Sequence, residues 1–322
     1  MTWSHLIGQG VRVVAPGSSA NLGPGFDSVG LALALYDRYV VRLADTAGLV
    51  VTVSGQDADQ VPLDERHLVY RSFLRGMERQ GVLPPEGIRL DCVNGVPQGR
   101  GLGSSATAIV AGVAAAYGLV RMRDGAPWLD RGAVNDLASE IEGHPDNASA
   151  SVYGGLTVSY VEEGGGRVHT VRPDVHPDVV PLVLLPDAVL ATSTARAVLP
   201  AHVPHGEAAL NSARAALLVH ALTSDPALLL PATREWLHQE QRRAAFPASM
   251  ALVDRLRAAG HAAVISGAGP SVLVLGTAAS TREVPVCPGW RHLTVGMSRV
   301  GVAVDRVTLN SHLAEVAGDP EH

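Results

Sequence analysis

Pro97-Gln-Gly-Arg-Gly-Leu-Gly-Ser-Ser-Ala-Thr-Ala108 is the stretch on which the reading of this chain turns. Gly99, Gly101 and Gly103 alternate, leaving little side-chain bulk between the backbone and an approaching ligand. Ser104 and Ser105 follow, and the small apolar run from Ala106 to Val120 reads as a buried helix. Ahead of the loop, Ile88 to Val93 alternates apolar and polar residues like a half-buried strand. Strand, glycine loop and helix start together predict an anion site, because free N–H groups and the positive helix end converge on one spot. A nucleotide phosphate is the anion that suits it. An ordinary strand-to-helix turn is the bland alternative.

The sequence contains no lysine, so every fixed cation is an arginine. A P-loop, which needs Lys before Ser or Thr, is therefore excluded, as is Schiff-base chemistry on a lysine amine. The spacing G-x-G-x-G also departs from the dinucleotide-binding G-x-G-x-x-G. The 322 residues suffice for two domains, and an apolar content of 47% supports a substantial core. A formal net charge of −6 and the lack of a basic run argue against nucleic acid as a partner. Cys92 and Cys287 stand far apart with no C-x-x-C pair, which argues against a disulfide framework or a structural zinc site. With no cationic, apolar leader and no long apolar run read as membrane-spanning, a cytoplasmic enzyme without membrane contact is expected.

Strands are predicted at 11–14, 28–35, 37–44, 48–54, 88–93, 153–160, 179–185, 188–193, 263–265, 271–275 and 294–303. Helices are predicted at 67–80, 106–120, 130–142, 207–222, 228–241 and 248–259. The glycine triplet and prolines between Glu162 and Pro177 suggest a boundary, giving domains 1–165 and 166–322. The mixture favours an α+β fold over strict βαβ alternation.

Two further loops resemble the first in composition: Pro16-Gly-Ser-Ser-Ala-Asn-Leu-Gly-Pro-Gly-Phe-Asp27 and Ser266-Gly-Ala-Gly-Pro270. Asn21 and Asp27 can bind a polar ligand and a substrate ammonium, or merely satisfy a turn. Glu140-Ile-Glu142-Gly-His144-Pro-Asp146-Asn147 ends a helix, where a carboxylate facing a loop serine suits Mg²⁺ and Asp146 or His144 can orient a hydroxyl. A solvated helix end with an Asx-type cap is the structural alternative. Glu140 and Glu142 lie two apart, so only one of them is expected to face the metal. Arg196 and Arg242 are candidates for clamping a substrate carboxylate through their planar forks, although most arginines are simply surface residues.

Taken in order, Pro16 to Asp27, Pro97 to Ala106 and Ile265 to Val272 resemble the three signatures of the GHMP small-molecule kinases. Glu142-Gly-His-Pro-Asp-Asn147 and Ala195-Arg-Ala-Val-Leu-Pro200 narrow the resemblance to the homoserine kinase branch. The resemblance implies a two-domain α+β fold with ATP and substrate in the cleft, and Mg²⁺-dependent transfer of the ATP γ-phosphate to L-homoserine in threonine biosynthesis. It also implies a homodimer. It assigns the ATP phosphates to Pro97, Gly99, Arg100, Gly101, Leu102, Gly103, Ser104, Ser105, Ala106 and Thr107. Ser105 and Glu140 would hold Mg²⁺, with Glu142 taking over if the helix register differs. Asn21, Asp27, Thr192, Arg196 and Arg242 would bind homoserine, Asp27 at the ammonium and the arginines at the carboxylate. His144, Asp146 and Asn147 would lie near the reacting hydroxyl, Asp146 orienting it. This chain departs from the family at His67-Leu-Val69, where relatives commonly carry Asn-Leu-Ile/Val near the adenosine, and at Ala148-Ser-Ala150 in place of Val-Ala-Pro. Another kinase of the superfamily, or a nucleotide-binding regulator without turnover, would share the loops.

Overall fold

The computed structural model describes residues 3–125, 129–188 and 196–308. Its first sheet has seven strands: β1 (Gly10–Ala20), β2 (Val29–Leu43), β3 (Gly48–Gly55), β4 (Gly87–Asn94), β5 (Leu156–Val161), β6 (Val168–Val171) and β11 (Ala303–Val307). The main path runs β11-β1-β2-β4-β3, with β5 and β6 attached to the start of β2. The pairings are antiparallel except for the parallel β3–β4 ladder. A second sheet, β10-β7-β9-β8, is built from β7 (Val180–Pro186), β8 (Ala262–Ile265), β9 (Val272–Gly276) and β10 (Trp290–Leu293), all antiparallel.

Period-two side-chain alternation explains how the second sheet is covered on both faces. Val183, Leu185, Leu273 and Leu275 face one cluster together with Leu218 and Leu222 of α5 (His205–Thr223). Leu182, Leu184, Val272 and Val274 face another with Met250, Val253 and Leu256 of α7 (Pro247–Ala258). The first of these clusters also takes Leu22, Leu31, Leu33 and Leu102, so it joins the two sheets. Helices α1 (Leu68–Arg79), α2 (Ser104–Asp124), α3 (Arg131–Glu142) and α4 (Pro145–Tyr153) cover the first sheet. α2 is 21 residues long and apolar enough to match a membrane span by composition alone. It is buried almost all round, which is why its polar stripe is missing.

Several elements differ from the sequence expectation. Residues 28–35 and 37–44 are one continuous strand, β2, because Asp37 is accommodated rather than expelled. Its carboxylate accepts from the N–H groups of Gly95 (2.8 Å) and Val96 (2.9 Å) and from the hydroxyls of Thr107 (2.5 Å) and Tyr39 (3.0 Å). The helix expected over 228–241 shrinks to α6 (Leu229–Ala232). Beyond it the Glu235 carboxylate captures the backbone N–H groups of Leu237, His238 and Gln239, which favours turns over helix. The final strand lies at 303–307 instead of 294–303, with Met297 bridging only Leu33. The expected strand at 188–193 lies almost entirely outside the described residues. A single cut at 165/166 does not follow the sheets, since β6 and β11 come from beyond it yet complete the first sheet.

Candidate active site

The three glycine loops meet. The Ser18 N–H donates to the carbonyl of Leu102 (3.0 Å), and the Gly267 N–H donates to that of Ala20 (3.2 Å). The Ser266 hydroxyl lies 2.8 Å from Ser19 Oγ and 2.6 Å from the Gly101 carbonyl. Gly101 and Gly103 both have φ near +72°, and a Cβ at Gly103 would strike Ser18. Only glycine suits that combination of positive φ and close approach.

Gly103 opens α2 without any side-chain cap, so the helix's first N–H groups are left for a ligand. A cavity of about 310 Å³ lies over this end, lined by Gly99, Gly101, Gly103, Ser104, Ser105, His67, Asn94 and Gln98 among others. A larger cavity, of about 700 Å³, lies elsewhere, beside Trp3, Leu43, Leu83 and Arg123. The side chains of Pro97, Leu102, Ala106 and Thr107 are buried, so these residues reach the cavity through backbone at most. Arg100 is turned away from it: its guanidinium pairs with Asp57 at 3.0 Å, and Asp57 also receives the Gln98 N–H at 2.9 Å. Burial of His67 lowers its pKa and keeps the imidazole neutral at the cavity wall.

Glu140 does not face the loop. Its carboxylate pairs with Arg75 (3.1 Å) and Arg79 on the outer side of α1. Two residues on, Glu142 points the opposite way and accepts the Ser105 hydroxyl at 2.5 Å. Period 3.6 separates positions i and i+2 by about 200°, so one choice of register moves the carboxylate from solvent to cleft. Burial raises the Glu142 pKa, while the Ser105 hydroxyl and the charges of His144 and Arg196 oppose that rise. A hydroxyl and a carboxylate oxygen side by side are hard donors, and two such groups beside a free helix N-terminus fit Mg²⁺.

Next in sequence, Gly143 closes α3 in a left-handed conformation and Pro145 starts α4 at its first position. This reversal buries His144 and Asp146. Asp146 Oδ1 lies 2.5 Å from His144 Nδ1 and accepts the Asn147 N–H at 2.7 Å. Burial by itself would lower the His144 pKa, but the Asp146 carboxylate outweighs it and leaves the group above its ordinary value. Asn147 Oδ1 accepts from Ser18 (2.9 Å), tying this turn to the first loop. The His144-Pro145 step, which ends the helix expected over 130–142, also starts a second helix, α4.

Across from this turn, Asp27 offers an oxygen within 4.8 Å of ligand atoms on His144 and Asp146. Arg196 grips Asp27 through two bonds, at 2.5 Å and 3.2 Å. Asn21 is spent on bracing: its Oδ1 accepts the Asp27 N–H (3.0 Å) and its Nδ2 donates to Gly267 (3.1 Å). It therefore braces the loop that carries Asp27. Arg242 is buried at 2% exposure, with Nη1 3.4 Å from His238 Nδ1. Burial, and the nearby Arg196 charge, lower the Arg242 pKa. Thr192 lies outside the described residues. Sequence reading missed Phe26 and His238, whose roles depend on contacts between distant segments, and Glu235, whose carboxylate organises its own turn.

Comparison with known proteins gives the arrangement a lineage. The GHMP kinases N terminal domain matches residues 67–155 and the GHMP kinases C terminal domain matches residues 213–284. Homoserine kinase from Streptomyces avermitilis is 48% identical over 306 residues, 95% of each chain. The enzyme of that name from Mycobacterium tuberculosis is 49% identical over 266 residues, 82% of this chain and 83% of its own. The crystal structure of homoserine kinase from Cytophaga hutchinsonii superposes with a TM-score of 0.76 at 25% identity, over 92% of this chain and 98% of that one. The chain belongs to the GHMP kinases, in their homoserine kinase family.

Proposed function

We propose that this kinase moves the γ-phosphoryl group of ATP to the hydroxyl of L-homoserine, with the uncapped N-terminus of α2 as phosphate cradle. The observation that carries the reading is the placement of two charge sets. The Ser105–Glu142 pair sits at the helix end, and Asp27, Arg196 and Arg242 form an amino-acid-like complement nearby. The Gly99–Ser105 backbone receives the phosphate oxygens, with the Ser104 and Ser105 hydroxyls beside them. Ser105 and Glu142 hold Mg²⁺, which when bound neutralises phosphate charge. With no lysine in the chain, backbone N–H groups and arginine supply the protein's own positive complement.

The Asp27–Arg196 pair is self-neutralising without substrate. Homoserine carries the same two charges, so its ammonium takes Asp27 while its carboxylate takes Arg196 and Arg242. Asp146, held by His144 and the Asn147 N–H, accepts a hydrogen bond from the substrate hydroxyl and aims the oxygen at phosphorus. The new O–P bond forms as the bond to the leaving ADP breaks, and the hydroxyl proton departs late along its hydrogen bond to the Asp146 carboxylate. A loose transition state asks for orientation and charge balance more than for early proton removal.

The test is an ADP-release assay with Mg²⁺ and ATP against L-homoserine, mevalonate, shikimate and galactose. Turnover confined to L-homoserine is the expected result. Turnover with another acceptor keeps the phosphate site and discards the substrate assignments, and ATP binding without turnover points to a regulator. We further propose that the chain works in the cytoplasm as a homodimer, which size exclusion with light scattering checks.

A further inference from the structure

Phe26 is in contact with both arginines to which the proposed function gives the substrate carboxylate. The Arg196 guanidinium carbon is 5.7 Å from the ring centroid and that of Arg242 is 5.6 Å. The His238 ring stacks on the same phenyl at 5.1 Å with planes 24° apart. His238 is itself fixed, because its Nε2 lies 2.9 Å from the Gly23 carbonyl. A carbonyl can only accept, so Nε2 carries the proton, and burial keeps the ring neutral. Nδ1 is then an acceptor, and Arg242 Nη1 donates to it at 3.4 Å. Arg196 in turn is held by Asp27. Each guanidinium thus has its own polar partner, and the phenyl ring is a contact they share.

Two like charges brought together in a half-buried pocket repel, and the ring's negative face opposes that repulsion for both. We propose that Phe26 is a positioning residue that holds Arg196 and Arg242 at the spacing of one carboxylate. Phe26 thereby gives this kinase its preference for an acceptor alcohol that carries a carboxylate. The inference rests on the proposed assignment of the arginines. It differs from a simple packing role, because an aliphatic side chain fills the same apolar space and has no quadrupole.

The experiment measures kcat and both KM values for the wild type and for Phe26→Leu, Phe26→Met and Phe26→Tyr, with thermal midpoints alongside. Loss of the ring is expected to raise the KM for L-homoserine by about tenfold in the Leu and Met variants. The KM for ATP is expected to stay within about twofold, and Phe26→Tyr, which keeps the ring, to stay near wild type. In an Arg196→Ala background the Phe26→Leu effect on the homoserine KM is expected to shrink, because one of its two clients is gone. Equal rises in both KM values, or a Phe26→Tyr variant as impaired as Phe26→Leu, overturns the proposal in favour of packing. An unchanged homoserine KM in Phe26→Leu, with that KM raised in Arg196→Ala and Arg242→Ala, overturns it too. If neither arginine variant changes that KM, the clamp assignment itself is wrong, and the Phe26 inference goes with it.

Discussion

Ser105 and Glu142 are 37 positions apart, and their contact depends on which of two glutamates a helix turns inward. Glu142→Gln keeps the shape and removes the charge, so kcat/KM for Mg·ATP is expected to fall by at least about tenfold, the value of one charge-assisted contact. Glu140→Gln loses only exposed pairs with Arg75 and Arg79, at 49% side-chain exposure for the glutamate, and steady-state rates should stay within about twofold. Initial rates over a Mg²⁺ titration separate the two. Asp27→Asn removes the proposed ammonium partner and leaves Arg196 without its carboxylate. The homoserine KM is expected to rise ten- to a hundredfold, about 1.5–3 kcal/mol, with the ATP KM little changed. At this scale the sequence offers residue types but not the directions in which they point. Glu140 and Glu142 can be told apart only by the helix phase, and the sequence does not show that the Asn21 amide also bonds Asp27 and Gly267.

Elements were legible where local signals are strong. Glycines with Ser104 and Ser105 gave the start of α2, Asp130 gave the start of α3 through its bond to the Ala133 N–H at 3.0 Å, and apolar alternation gave β4. They were not legible where a side chain captures backbone N–H groups or a distant group satisfies a buried charge. The Glu235 carboxylate dissolves the expected helix after Ala232, and Asp37 passes unbroken through β2 because Thr107, on another element, supplies one of its donors. The N-terminus of α2 carries a prediction of its own. A methyl group at Gly103 must adopt φ near +72° and push against Ser18 Oγ, with Asn147 Oδ1 also within 3.1 Å. Strain of about 1–3 kcal/mol, with a similar cost for the clash, is expected in Gly103→Ala. The cradle would shift as well, so a lower thermal midpoint and weaker ATP binding should appear together, by differential scanning calorimetry and nucleotide titration.

For the whole molecule, the decisive fact is that the two sheets share both an apolar cluster and a polar seam. The cluster contains Leu22 and Leu102 from the first sheet's loops with Leu218, Val264 and Leu273 from the other side. Sequence alone gave two halves, because a glycine triplet looks like a linker, whereas β11 returns from the end of the chain to pair with β1. The seam runs through Ser266. Its hydroxyl has one proton, the Gly101 carbonyl can only accept, and so Ser266 donates to Gly101 and accepts from Ser19. Ser266→Ala leaves a carbonyl of the Gly99–Gly103 loop and a buried hydroxyl without that partner, at about 1–3 kcal/mol. The substitution lies on the β8–β9 loop, in the part of the chain that provides Arg196 and Arg242, yet its effect should reach the nucleotide. The expected result is a lower thermal midpoint together with a raised KM for ATP and a smaller change in that for homoserine. A destabilised variant with the ATP KM intact would mean that the glycine loop holds its shape without the seam, and that the two sheets contribute to the site independently.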